Sequence, residues 1–369
     1  MNRTRQIFRF VGLITCLPGL STFTLAAPLF DSDEVLDVVI EAPIRDLGNQ
    51  RMKEPDFAGT FRYTNASGTE QILPIKITTR GNSRLEICDY PPLKITFNPD
   101  ETVGTLFEGQ SSLKMVTQCI SGRTGAAWLH LEHGIYRAYN QITDYSYKTR
   151  KLNVTYRETT SRGRDRLQPA FILEADKQLA KRLGRQRIRP PKVDPVQMSK
   201  TESTRNMLFQ FLIGNTDLAM KSGQKGEDCC HNGRVYAKPG TQDDWVIVPY
   251  DFDYAGIVNT EYALPYRKLP IRRVTTRLYR GFCWQNELLP EVIELFNQKR
   301  SEIESALTPA ELSKTKARGA QRYVDKFYDI VNDPKKLQKQ IIDDCRGPDS
   351  LPVRESPVAP GYIKTPSSG

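Results

Sequence analysis

Strand-length runs of apolar and β-branched residues alternate with turn formers through the first third of the chain. Runs at 35–40, 59–63, 72–77, 93–97 and 112–117 are separated by Asn65-Ala-Ser-Gly68, Arg80-Gly-Asn-Ser83 and Asn98-Pro-Asp100. This spacing predicts a β-rich region over residues 32–119. From 128 to 143 the period lengthens. Leu131, Ile135, Ala138 or Tyr139, and Ile142 recur every three to four residues, as on a helix buried along one stripe. Strands are expected again at 151–156 and 169–174, the second passing directly into a helix at 175–183, as at a hinge between two parts. After the connector Arg189-Pro-Pro-Lys-Val-Asp-Pro195, a helix begins near Ser199 or Thr201 and runs to Ile213 with Met207, Leu208, Phe211 and Leu212 inward. Helical patterns at 290–307, 310–331 and 335–342 follow. Residues 346–369 hold five prolines and no helical period, and read as a disordered tail.

The ends and the cysteines set the compartment. Arg3, Arg5 and Arg9 precede an apolar run at 10–20, and Thr24-Leu-Ala26 supplies small residues for cleavage after Ala26. That run is shorter than the roughly 20 residues a membrane span needs, so residues 1–26 read as a secretory signal. The expectation is an exported protein, periplasmic or extracellular, with no stable span once the signal is removed. Six cysteines remain after Cys16 is lost, an even number that points to disulfides. Cys88 with Cys119 is the first expected pair, while the vicinal Cys229 and Cys230 are each expected to reach a different partner. Of the formal charge of +10, three arginines belong to the signal. Basic stretches at 148–166 and 177–192 carry much of the remainder and suit phosphates or acidic polymers. They lack the interleaved aromatics of a nucleic-acid platform, so no nucleic-acid partner is expected. At about 150 residues per domain, the 369 residues suggest two domains or one large bilobal unit.

Candidate chemistry gathers between 209 and 253. The apolar helix ends at Gly214 and releases Asn215-Thr216-Asp217. Strands at 233–239 and 244–250 flank the turn-forming Gly240-Thr-Gln-Asp243. If the turn is centred between Thr241 and Gln242, Asn232 lies opposite Asp251. Paired side chains stand roughly 5 Å apart, close enough for an amide oxygen and a carboxylate to share one hard divalent cation. Asp217 can face the same point. Upstream, Lys114 on a strand precedes Glu132 on a helix, the order in which a lysine–glutamate ion pair holds nucleotide phosphates. A metal-dependent hydrolase built on Asp217, His231, Asp251 and Asp253 is a competing reading, with His130 and His133 three apart on the Glu132 helix. Gly-x-Ser-x-Gly is absent, so no serine-hydrolase elbow is expected.

Ile213-Gly-Asn-Thr-Asp217, His231-Asn232 and Pro249-Tyr-Asp-Phe-Asp253 together resemble the catalytic segment of the HipA and spore-coat CotH kinases. Arg80-Gly-Asn-Ser-Arg84 and Pro91-Pro-Leu-Lys-Ile-Thr-Phe97 are similar to the glycine turn and lysine strand of the CotH N-lobe. The likeness spans about 35–310 and is specific over 209–256. It implies an α+β, bilobal protein-kinase-like fold, with a β-rich N-lobe at 31–174 and a mainly helical C-lobe at 175–345. It also implies ATP with Mg²⁺ or Mn²⁺. In this reading Asp217 is the catalytic base, Asn232 and Asp251 hold the metal, and Asp253 is a second metal contact or a structural acid. Gly81, Glu132, Glu174 and either Lys94 (CotH-like) or Lys114 (HipA-like) would contact the nucleotide. The chain departs from the family in the long insertion between Asp217 and Asn232, which contains Cys229 and Cys230, and in lacking Gly-x-Gly-x-x-Gly before Lys114. The function implied is an exported ATP- and Mg²⁺-dependent phosphotransferase acting on a protein or another envelope molecule. A kinase-like binding module without catalysis is the alternative.

Overall fold

A computed structural model describes residues 29–347. The expected signal, and the expected tail beyond Gly347, lie outside the described residues. Seven strands form a closed barrel: β1 (Leu36–Ala42), β2 (Phe57–Thr64), β3 (Glu70–Thr79), β4 (Leu93–Phe97), β5 (Ser112–Thr117), β6 (Thr149–Glu158) and β7 (Arg166–Leu173). Their order around the barrel is β1-β2-β3-β4-β5-β7-β6. All neighbours are antiparallel except β1 and β6, which pair in parallel from Leu36↔Leu152 to Ala42↔Glu158 and close the ring. Inward positions alternate along each strand, and Phe107 from the β4–β5 loop packs edge-on against Phe61 at 5.0 Å and Tyr63 at 5.2 Å.

The bilobal protein-kinase-like fold implied by the resemblance is therefore not what this chain forms. It builds a closed mixed barrel, a second small sheet and a set of helices. Period-2 patterning located the strands within a few residues. Closure depends on β1 returning beside β6, a pairing between distant segments that no local pattern encodes. Closure leaves the barrel without an open edge.

The helices are α1 (Ile44–Asn49), α2 (Ser83–Ile87), α3 (Gly122–Asn140), α4 (Asp176–Arg182), α5 (Lys200–Ile213), α6 (Leu289–Gln298), α7 (Arg300–Leu307), α8 (Lys314–Val331) and α9 (Pro334–Leu337). The single helix expected at 290–307 is two, interrupted at Lys299 (φ −95°, ψ 11°). The helix expected at 335–342 is α9 followed by a wider turn at Gln338–Ile342. No helix among the described residues is long and apolar enough to cross a membrane. The second sheet has the order β10-β9-β8, from β8 (Gln186–Ile188), β9 (Gly233–Ala237) and β10 (Val246–Pro249).

Two hydrophobic cores share one wall. On β5 and β7, Leu113, Met115, Ala170 and Ile172 point into the barrel, while Val116, Phe171 and Leu173 join the core of the helical part. Helix α3 belongs to that second core, packing on α7 outside the barrel. Its stripe thus fastens the barrel to the helices, and the candidate site lies along this seam.

Among the described residues, three disulfides are present. Cys88–Cys119 is the expected pair, and Cys283–Cys345 closes a 62-residue separation. Cys229 and Cys230 bond to each other, not to separate partners. Among the described residues, the other four cysteines are paired with one another and leave the vicinal pair no distant thiol.

Candidate functional site

Helix α5 aims the loop that carries Asp217. Gly214 ends it in the left-handed region at φ 66°, and a side chain there would collide with the Tyr323 hydroxyl and close on Gly256. Arg277 donates to the last carbonyls of α5, Phe211 O at 3.0 Å and Leu212 O at 3.1 Å, supplying a cation where the helix dipole favours one. Arg280 donates to the Thr216 and Leu218 carbonyls, the latter at 2.9 Å, so it grips the backbone on both sides of Asp217.

A buried line of amides sets the other side of the loop. Asn206 Nδ2 donates to the Ile247 carbonyl on β10 (2.9 Å), Gln210 Nε2 to Asn206 (2.9 Å), and Asn215 Nδ2 to Gln210 (2.8 Å). Asn215 then accepts from the Asp217 backbone N–H at 2.9 Å. Each group spends its hydrogen-bonding capacity on the next, as a buried polar network requires. The hairpin and the Asp217 loop are thereby tied through the interior of α5.

The Asp217 carboxylate accepts from Asn232 Nδ2 at 2.6 Å and from His231 Nε2 at 3.3 Å. An amide nitrogen of Gln224 lies 3.2 Å from His231 Nδ1. Because that amide can only donate, Nδ1 accepts and Nε2 carries the proton toward Asp217. His231 is here a structural donor.

The hairpin register differs by one residue from the expected one. Pro249 pairs with Gly233, and the Tyr250 N–H donates to the Asn232 carbonyl at 3.0 Å, so Tyr250 and not Asp251 stands opposite Asn232. A one-residue slip ordinarily turns a side chain to the other face. The two site residues escape that rule because both lie beyond the ladder in the left-handed region, Asn232 at φ 54° and Asp251 at φ 64°. Asparagine and aspartate tolerate that region best among side-chain-bearing residues. The Asp251 N–H is fixed by the Tyr136 hydroxyl of α3 at 2.9 Å.

Arg84, on α2 just past the Gly81 turn (φ 114°), occupies the centre. Its Nη2 meets both Glu132 oxygens at 2.9 Å and Asp251 Oδ1 at 3.1 Å, and its Nε meets Asp253 Oδ2 at 2.8 Å. The expected lysine–glutamate pair is thus an arginine–glutamate pair, because the Gly81 turn lays α2 across the Glu132 position. Tyr262 also donates to Asp253, at 3.0 Å. Burial pushes Glu132 up to about 7 and Asp253 up to about 6, against the pull of Arg84, and neighbouring carboxylates add to the rise. Burial alone would weaken the Arg84 charge, but Asp253, Glu132 and Asp251 hold it well above its ordinary range. One guanidinium serves three carboxylates here, and Asp217 is close enough to act on Asp253 as well. The centre carries surplus negative charge. Asp251 is its open member, with a side chain 41% exposed against 8% for Asp253.

These residues line one cleft of about 870 Å³ between the barrel and the helices. Lys114 lies in its wall, 3.3 Å from Asp176 and 5.4 Å from the Tyr250 ring centre. Burial pulls Lys114 down to about 8, opposed by Asp176 and reinforced by Arg80 and Arg234. Lys94 pairs directly with Lys114 on the neighbouring strand, but it is exposed and outside the cleft lining. Glu174 is buried against Arg182 (2.8 Å) and the Lys148 N–H (3.2 Å), also outside the lining. The structure therefore gathers Asp217, Asn232, Asp251, Asp253, Glu132, Gly81 and Lys114, and leaves Lys94 and Glu174 apart.

His130 and His133 lie outside the cleft lining, with His130 Nδ1 and His133 Nε2 unbonded. Among the described residues, no three His, Cys, Asp or Glu side chains are grouped to hold a metal by themselves. The Asn232 amide falls outside that set, and it and Asp251 are hard oxygen donors of the kind Mg²⁺ and Mn²⁺ prefer. With its nitrogen given to Asp217, Asn232 keeps its oxygen for a cation, and the surplus negative charge calls for one. The donor set fits a divalent ion.

Sequence reasoning missed Arg84, although it ends the quoted Arg80-Gly-Asn-Ser-Arg84 motif. It also missed the amide line, whose signal is Asn206 and Gln210 four apart in the apolar C-terminal half of α5. Arg280 left no local trace. No protein-family model matches this chain, and no curated protein matches it.

Proposed function

We propose that the cleft binds the phosphates of a nucleoside triphosphate together with Mg²⁺ or Mn²⁺ and transfers the terminal phosphoryl group to a hydroxyl. The observation that carries this reading is the meeting of Asp217, Asn232 and Asp251 in one cleft whose wall also holds Lys114, Arg80 and Arg234. Phosphoryl transfer demands positioning and charge neutralisation more than covalent help from the protein. In the transfer, the bond from the terminal phosphorus to its bridging oxygen breaks, and a new bond forms to the acceptor oxygen. The acceptor proton goes to Asp217, and the nucleoside diphosphate leaves with the electron pair of the broken bond. Asn232 and Asp251 would hold the cation, which when bound would supply positive charge toward the phosphate oxygens. Asn232 and His231 hold Asp217 in orientation, and Arg280 keeps its loop from shifting.

The three disulfides support an oxidising, extracytoplasmic setting, and the signal pattern at the N-terminus agrees. The acceptor is then a protein or another envelope molecule. A nucleotide-binding module without transfer is the second reading, favoured by one observation: Arg84 occupies oxygens of both Asp251 and Asp253.

Incubation of the mature protein with γ-labelled ATP, with and without Mg²⁺ or Mn²⁺, separates the readings. Metal-dependent labelling lost in Asp217→Asn and Asp251→Ala supports transfer. Binding without labelling supports the module, and absence of both rejects the nucleotide altogether.

A further inference from the structure

We infer that Arg84, not a lysine, is the cation that anchors the distal phosphates of the bound nucleotide. This rests on the phosphoryl-transfer reading and assigns a residue that reading leaves open. Among the cations lining the cleft, Arg84 contacts the three acids Glu132, Asp251 and Asp253 directly. Lys114 is already committed to Asp176, over the face of Tyr250.

The hydrogen bonds of Arg84 leave donors for a ligand. Nη2 serves Glu132 and Asp251 and Nε serves Asp253, while Nη1 makes no bond among the described residues. Nη1 is also not among the unbonded atoms sealed from solvent, although the side chain is only 8% exposed. An arginine nearly buried in a cleft wall, with one N–H₂ unspent, suits a phosphate oxygen, and the planar fork fits two such oxygens together. Glu132 on Nη2 and Asp253 on Nε hold the guanidinium by the edge that leaves Nη1 out. A cation on Asp251 would release the Nη2 hydrogen now given to that acid, adding a second donor beside Nη1. The site thus exchanges an internal counter-ion for the metal and the phosphates in one rearrangement.

The test is direct binding of Mg·ATP and of AMP to the mature protein, read by competition against a fluorescent ATP analogue. The set comprises wild type, Arg84→Met, Arg84→Lys, Lys114→Met, and the paired variant Arg84→Met/Glu132→Gln, which removes the acid with the cation and avoids leaving Glu132 unpaired. The expected result is about a 10–100-fold loss of Mg·ATP affinity in both Arg84→Met backgrounds, the range of a charged hydrogen bond. AMP affinity should be nearly unchanged, with partial retention in Arg84→Lys and a smaller loss in Lys114→Met. On wild type, phenylglyoxal modification of Arg84 should be blocked by Mg·ATP and not by AMP. Wild-type affinity in folded Arg84 variants, or modification of Arg84 unaffected by Mg·ATP, overturns the inference while leaving the phosphoryl-transfer reading standing. Failure of wild type to bind Mg·ATP overturns both.

Discussion

Asn232 donates its amide N–H to the Asp217 carboxylate across 2.6 Å, and this bond decides what each side chain has left to offer. The amide oxygen is left for the proposed cation. The carboxylate is oriented by a neutral donor. Asn232→Ala removes the proposed metal ligand and the orienting donor together, whereas Asn232→Asp places a second carboxylate against Asp217. Both variants are expected to weaken Mn²⁺ binding by about 10–100-fold, and Asp should not rescue Ala. A Mn²⁺ titration followed by electron paramagnetic resonance reads this without any transfer assay.

Arg280 acts on Asp217 through the backbone. It holds the Thr216 and Leu218 carbonyls from a segment more than 60 residues downstream in the chain. Arg280→Met should lower kcat by about 100-fold, the cost of displacing a reacting group by about 1 Å, while nucleotide KM stays near wild type. A parallel rise in KM would show instead that the whole cleft had loosened.

The acidic centre makes stability fall as pH rises. Burial raises Glu132 from 4.5 to about 7 and Asp253 from 3.8 to about 6 in the folded protein. The folded state therefore binds more protons than the unfolded chain between about pH 4 and 7. Their contribution to stability is complete below pH 4 and is lost as pH climbs through 6 and 7. Glu132→Gln should flatten this part of the profile by on the order of 1–3 kcal/mol. The check is the difference in Tm between wild type and variant across pH 4–8. Saturating Mg²⁺ should raise the wild-type Tm most at the alkaline end, where the surplus charge is greatest.

The amide line through α5 predicts a coupled loss. Gln210→Leu leaves Asn206 and Asn215 each lacking a partner in a buried site, at a cost of about 1–3 kcal/mol. Transfer should fall further than the loss of folded protein explains, because the Asn215 acceptor for the Asp217 N–H loses its own anchor. Chemical denaturation and initial rates on the same sample measure the two effects.

Disulfide mapping tests the cysteine assignment. Digestion of the unreduced mature protein should yield Cys229 and Cys230 on one peptide, 2 Da lighter than its reduced form, with Cys283 linked to Cys345. Removing the latter bond by a Cys283→Ser/Cys345→Ser change is expected to lower stability by about 4 kcal/mol, from the 62-residue separation it closes.

Much of the local structure was legible where neighbours in sequence are neighbours in space, although the Cys229–Cys230 bond was not. The strands from 36 to 117 follow from period-2 alternation, and α5 and the Gly214 stop follow from helical spacing and the left-handed tolerance of glycine. Asp217, Asn232 and Asp251 could be grouped because one helix end and one hairpin carry all three. Even there the register was off by a residue, and the grouping held through left-handed backbone at Asn232 and Asp251 that the pairing pattern did not reveal.

The sequence by itself determined the barrel strands, the longer helices and the residue types proposed to hold phosphate and metal, because these follow from short-range periodicity and side-chain chemistry; α1, α2, β8 and the break at Lys299 left no such period. Only the tertiary structure decided that β1 closes a barrel against β6, that Arg84 and not Lys114 or Lys94 meets Glu132, and that Arg280 steadies the Asp217 loop. Those relationships join segments tens to more than a hundred residues apart. They form when buried surfaces and charges find their lowest-energy partners in the folded chain, and no local spacing records that choice.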